Sequence, residues 1–179
     1  TDPNDTGFVS SAIIFNVKAG TVTGNTISNS QVGIFPFSSG GTFKNNVIDV
    51  PASPTVDPGG VFGIVALASS STKSGSAAQL PGSRPKQADL GQSVGTGLSG
   101  KSSPSFTFEN NELEGSNEGS GFFLFSNASG SSFKGNDNLI FSFGTGILLS
   151  PAGSGSVSSA TFDSNCITNN QNFGLDNNT

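Results

Sequence analysis

The chain has 179 residues, a net charge of −5 and only seven Lys or Arg, which excludes the clustered positive charge that nucleic acids and anionic membranes require. With no His and one cysteine, Cys166, it excludes a Ser-His-Asp triad, an imidazole base, a His-ligated metal, a cysteine-zinc cluster and an internal disulfide. Sixteen Phe beside no Tyr and no Trp form an aromatic inventory without polar handles, suited to interior stacking or dry contacts.

In chain order, Gly7-Phe8-Val9 and Ala12-Ile13-Ile14-Phe15 read as short apolar strands. Thr21-Val22-Thr23-Gly24-Asn25-Thr26-Ile27 opens a pattern that Thr42-Phe43-Lys44-Asn45-Asn46-Val47-Ile48 repeats. The apolar run Gly33-Ile34-Phe35-Pro36-Phe37 lies between them. Pro51 to Pro58 is a proline-rich loop that strands do not tolerate, and Gly63-Ile64-Val65-Ala66-Leu67 follows as another apolar run. Residues 68–104 break the pattern: they are rich in Ser, Gly, Lys and Pro, with Leu80, Leu90, Val94 and Leu98 as the only large apolar residues. They are expected to form a long, loosely ordered loop excursion within a single domain spanning 1–179, the alternative being one irregular extra coil.

The pattern returns at Thr107-Phe108-Glu109-Asn110-Asn111-Glu112-Leu113 and again at Thr161-Phe162-Asp163-Ser164-Asn165-Cys166-Ile167. Between these, Ser132-Phe133-Lys134-Gly135-Asn136-Asp137-Asn138-Leu139 reads as a copy with one extra residue. The runs Gly121-Phe122-Phe123-Leu124-Phe125, Gly146-Ile147-Leu148-Leu149 and Gly174-Leu175 follow the three copies. No apolar run approaches the ~20 residues of a membrane span. The start at Thr1 and the end at Asp176-Asn177-Asn178-Thr179, where another coil would be starting, read as a piece of a longer chain.

The shared core is Phe-x-x-Asn-x-Ile, with copies starting at 22, 43, 108, 133 and 162, hence at spacings of 21, 65, 25 and 29 residues. A unit of ~20–30 residues with short strands and no helical period is one coil of a solenoid. Successive coils then sit ~4.8 Å apart, the inter-strand spacing of a sheet. The pattern resembles the right-handed parallel β-helix repeats common in bacterial and phage surface proteins and in polysaccharide-active enzymes. The resemblance covers most of the chain outside 68–104 and implies an all-β, right-handed parallel β-helix of five to seven coils. The solenoid also resembles autotransporter passengers, and its Phe-x-x-Asn repeats resemble the polymorphic outer-membrane proteins of chlamydiae. These resemblances imply an extracellular or cell-surface setting.

Stacking lets the sequence be read down as well as along. Val22, Phe43, Phe108, Phe133 and Phe162 should form an inward apolar column. Asn25, Asn46, Asn111, Asn136 and Asn165 should form a structural ladder at a bend, each bonded to its copies above and below. The outward position after Phe reads Thr23, Lys44, Glu109, Lys134, Asp163, alternating in sign down the stack. Glu112 and Glu114 flank Leu113 on one face, with Asp49 one coil from Glu114. These three carboxylates are the best candidates for acid/base chemistry or for calcium, and a solvated acidic face is the plainer expectation. No cofactor is expected. The paired-Asp, Asp-Pro-His-Asp and Gly-Asp nonapeptide motifs of carbohydrate-active β-helix families are missing.

The strands after each Gly are apolar at every position, so alternation cannot hide them all inside. Phe35, Val65, Phe123 and Leu148 should form an outward stripe, with Phe37, Leu67 and Phe125 as a second one beside it. Continuous apolar strands occur where both sheet faces are covered. The cover is the 68–104 excursion, a neighbouring subunit or another part of the same chain. The expected function is a non-enzymatic extracellular structural or adhesive module that assembles with itself or docks a neighbouring protein surface through this stripe. The alternative is a module that binds or cleaves polysaccharide, using Asp49, Glu112 and Glu114 against a glycan.

Overall fold

A computed structural model of the chain describes residues 11–15, 19–36, 40–51, 61–68, 103–126, 130–151 and 156–178. The first coil carries β1 (Ser11–Phe15), β2 (Gly20–Thr23) and β3 (Thr26–Ser28). The second carries β4 (Val32–Pro36), β5 (Gly40–Lys44) and β6 (Val47–Asp49). The third carries β7 (Phe62–Ala68), β8 (Ser105–Glu109) and β9 (Glu112–Glu114). The fourth carries β10 (Ser120–Ser126), β11 (Ser131–Asn136) and β12 (Leu139–Phe141). The fifth carries β13 (Thr145–Pro151), β14 (Val157–Asp163) and β15 (Cys166–Thr168), and β16 (Phe173–Asn177) opens a sixth.

Every third strand pairs in parallel with the one before it, giving three sheets. The first is β1-β4-β7-β10-β13-β16, the second β2-β5-β8-β11-β14 and the third β3-β6-β9-β12-β15. The fold is a right-handed parallel β-helix. The 65-residue interval between the second and third copies is a single coil, because β5 pairs directly with β8, Phe43 opposite Phe108 and Lys44 opposite Glu109. The 68–104 segment therefore leaves after Ala68 and rejoins the stack at β8 without disturbing its register. Most of it lies outside the described residues, as do Phe37 and most of the 51–58 loop.

Local chemistry sets the bend between the second and third sheets. Gly24, Asn45, Asn110, Asp137 and Ser164 occupy equivalent positions there with φ of 68°, 54°, 51°, 55° and 57°. Gly, Asn and Asp tolerate this left-handed backbone at least cost, which is why the repeat places them before its ladder Asn. The coil interior is filled by Phe43, Phe106, Phe108, Phe122, Phe133 and the Ile/Leu column Ile48, Leu113 and Ile140, all buried. Phe43 stacks on Phe108 at 5.3 Å, and Phe108 meets Phe122 of the facing sheet at 4.7 Å.

The fourth copy corrects the expected register. Gly135, not Phe133, lies opposite both Phe108 and Phe162. Phe133 lies opposite Phe106 and stacks on it, with ring centroids 5.6 Å apart. No residue is inserted: the ladder steps on either side of this coil are both 27 residues. Packing explains why a Gly is accepted in the Phe column. A methyl at Gly135 would come within 2.7 Å of the Phe162 ring, so that ring already fills the missing volume.

The Gly before each apolar strand is also a volume requirement. A methyl at Gly121 would sit 2.7 Å from the Gly146 carbonyl oxygen and against Ile140. At Gly146 it would meet Ile167 and the Gly174 carbonyl oxygen, both at 2.5 Å. These glycines let the first sheet approach the Ile column of the third.

Candidate functional site

The ladder is the most completely built polar feature. Asn25 N and Nδ2 donate to Asn46 Oδ1 at 3.2 and 2.9 Å, and Asn46 N and Nδ2 donate to Asn111 Oδ1 at 3.1 and 2.9 Å. Asn111 donates in the same way to Asn138 Oδ1, and Asn138 to Asn165 Oδ1. Each Nδ2 from Asn46 onward also donates to a carbonyl one coil back: Val22 O, Phe43 O, Phe108 O and Gly135 O. The fourth member is thus Asn138 rather than Asn136, a consequence of Gly135 taking the Phe position. Asn136 instead stands in register between Glu109 and Asp163, with its Oδ1 buried and without a hydrogen-bond partner.

The same correction limits the charge column. Lys44 Nζ and Glu109 Oε2 are 3.1 Å apart, as the expected pairing requires. Lys134, however, lies opposite Thr107 and Thr161, so the alternation of sign stops after one pair.

The structure brings the three candidate carboxylates onto one exposed face of the third sheet. Asp49 lies in register with Glu114, and Glu112 lies between Val47 and Leu139. Leu139 follows Glu112 in its column, and Phe141 follows Glu114 in the next. Among the described residues no group of three or more His, Cys, Asp or Glu side chains is arranged to hold a metal ion. Cys166 is a free, exposed thiol on β15.

The outward apolar stripe forms a second cluster, separate from the coil interior. Val65 and Phe123 are in register, as are Phe123 and Leu148, and Leu67 and Phe125. Phe35, Val65, Leu67 and Phe123 are buried within the chain, while Phe125 and Leu148 are half-buried at its margin. Sequence reasoning missed two members, Val32 and Phe62, whose ring lies 5.2 Å from that of Phe123. Their signal was an apolar residue immediately before the Gly. Because the Gly and the apolar residue after it both face inward, the residue ahead of them returns to the outer face.

On the second sheet, Thr21, Thr42 and Thr107 stack in register beside Gly20, Gly41 and Ser105 and line an open trough of about 370 Å³. The lining supplies hydroxyls and backbone and no charged group. Among the described residues no helix is long and apolar enough to cross a membrane. Comparison of the chain with protein-family models, curated proteins and solved structures gives no match.

Proposed function

We propose that the protein is a non-enzymatic structural or adhesive β-helix module that docks a neighbouring protein surface through the outer face of its first sheet, in an extracellular or cell-surface setting. The observation that carries this reading is the second apolar cluster, built on the side of the first sheet that faces away from the coil interior. A sheet apolar on both faces is made to be covered on both. Since Phe35, Val65, Leu67 and Phe123 are already buried, the part left for a partner is the margin at Phe125 and Leu148. The likeness of the Phe-x-x-Asn repeats to polymorphic outer-membrane proteins and autotransporter passengers supports the same setting.

Light scattering coupled to chromatography over a concentration series, repeated with Phe125→Asp and Leu148→Asp, tests the docking face. Self-association lost in both variants supports it. A monomer at every concentration in all three proteins removes assembly through this face. Phe123→Asp is the poorer probe, because a charge at a fully buried position unfolds the site it reports on.

A second reading rests on the exposed carboxylates: Asp49 in register with Glu114, beside Glu112, offers an acidic face to a glycan. Calcium titration and a degradation screen on acidic and neutral polysaccharides test it. No heat of calcium binding and no product would remove it.

A further inference from the structure

The turn between β9 and β10, residues 115–119, carries the chain from the third sheet back to the first. Four buried side-chain atoms among the described residues have no hydrogen-bond partner, and two of them belong to this turn: Ser116 Oγ and Glu118 Oε2. Asn117 between them is exposed, while Ser116 and Glu118 are half-buried. Asn117 thus takes the open side of the turn, and the two oxygens take the packed side.

The turn is not free to swing outward and wet them. Its backbone is tied to the coils before and after it. Ser120 N donates to Val61 O at 3.0 Å, and Gly119 O accepts from Thr145 N at 2.9 Å. Gly115 N donates to Phe141 O at 3.0 Å, and Asn117 N donates to Ser142 O. A methyl at Gly115 would press on the Phe143 ring, and one at Gly119 would fall on the Val61 carbonyl.

A buried oxygen without a partner is costly, and more so when it belongs to a carboxylate. No side-chain cation answers this charge. The only Lys or Arg among the described residues are Lys44 and Lys134, on β5 and β11 of the second sheet. Lys44 is already paired with Glu109. Glu114, at the end of β9 and next to the turn in sequence, is a further negative charge.

We propose that this turn is a calcium site in which Glu118 supplies the charge and Ser116 a neutral oxygen, with backbone carbonyls and water completing the shell. The donors are all oxygen, which selects a hard ion, and calcium accepts irregular oxygen sets where magnesium demands a near-ideal octahedron. Among the described residues no three carboxylates converge, so the site has one charged ligand. Ligand charge sets affinity, which places it with the weak sites of extracellular modules, Kd ~10⁻⁴–10⁻³ M. Bound calcium neutralises the buried carboxylate and fastens the corner where the third, fourth and fifth coils meet. The site does not depend on the exposed Asp49, Glu112 and Glu114 or on the docking face of the first sheet.

Thermal unfolding with calcium chloride as the added ligand, against protein in EDTA, tests the site. Calcium at about 10 mM should lower the unfolded-to-folded ratio ~10–100-fold and raise Tm, and magnesium at the same concentration should do much less. Glu118→Gln should lose the calcium shift and Ser116→Ala should weaken it. The triple variant Asp49→Asn, Glu112→Gln, Glu114→Gln should keep it. In EDTA, Glu118→Gln should be no less stable than the parent, because it exchanges an unpartnered charge for a neutral amide of the same shape. No calcium shift in the parent, or a shift that survives Glu118→Gln, overturns the proposal. A shift lost only in the triple variant also overturns it and moves calcium to the exposed face. So does a Glu118→Gln protein that is markedly less stable in EDTA, which would make the carboxylate a structural acceptor.

Discussion

The Asn138 side chain is saturated. Its Oδ1 accepts from Asn111 N and Nδ2, and its Nδ2 donates to Phe108 O and Asn165 Oδ1. That uses both lone pairs and both hydrogens an amide side chain has. Asn138→Ala would strand several buried partners at once, at ~1–3 kcal/mol for each unsatisfied group, so a loss of about 3 kcal/mol or more is expected. Asn136→Ala should cost less than ~0.5 kcal/mol or stabilise, because it removes a buried Oδ1 that has no partner. Urea midpoints of the two variants check the pair, and equal losses would contradict the ladder assignment. The sequence held the clue to this choice. In the other copies an apolar residue follows the ladder Asn by two positions (Ile27, Ile48, Leu113, Ile167), and only Asn138 keeps that spacing, to Ile140. What hid it was Phe133, which matches the repeat but belongs to the Phe106 stack two residues upstream.

A single strand shows how far a repeat pattern can mislead about packing. By consensus, Gly135→Phe restores the fourth copy to Phe-x-x-Asn and should help. By geometry it should destabilise, since even a methyl there meets the Phe162 ring, and overpacking of this kind costs ~1–3 kcal/mol. Phe133→Ala in the same strand should cost ~3–5 kcal/mol, because Phe133 is fully buried against Phe106 and leaves a cavity. Thermal unfolding of both variants decides between consensus and packing. Gly121→Ala belongs beside them: its methyl is blocked by the rigid Gly146 carbonyl, so a loss of ~1–3 kcal/mol is expected although helix and strand propensities both favour Ala over Gly. The recurrence of these glycines was visible in the sequence. Their reason was not, because it lies in the distance between the first sheet and the Ile column of the third, which no local pattern encodes.

At the scale of the molecule, the coil period was legible because each coil repeats one local solution, a left-handed bend residue followed by a ladder Asn and an inward Ile. Which residues of the outer apolar face end up buried was not, because the repeat fixes which side chains point outward and says nothing of what lies over them. In a stack each coil is held by its neighbours above and below, so stability should be graded along the axis rather than uniform. The gradient can be read at matched hydrogen bonds. Cys166 N donates to Asn138 O at 2.8 Å, and Leu139 N donates to Asn111 O at the same 2.8 Å one coil earlier. Bond length therefore predicts equal protection, and position predicts otherwise. Leu139 is covered by the fifth coil, whereas the strands around Cys166 end in the half-exposed Phe162, Ile167 and Leu175. Amide exchange in dilute solution should be about a hundredfold faster at Cys166, a gap of roughly 2.7 kcal/mol in opening free energy. Equal exchange at the two amides in dilute solution would mean that the five coils open as one unit, and that the last coil needs no neighbour to hold it.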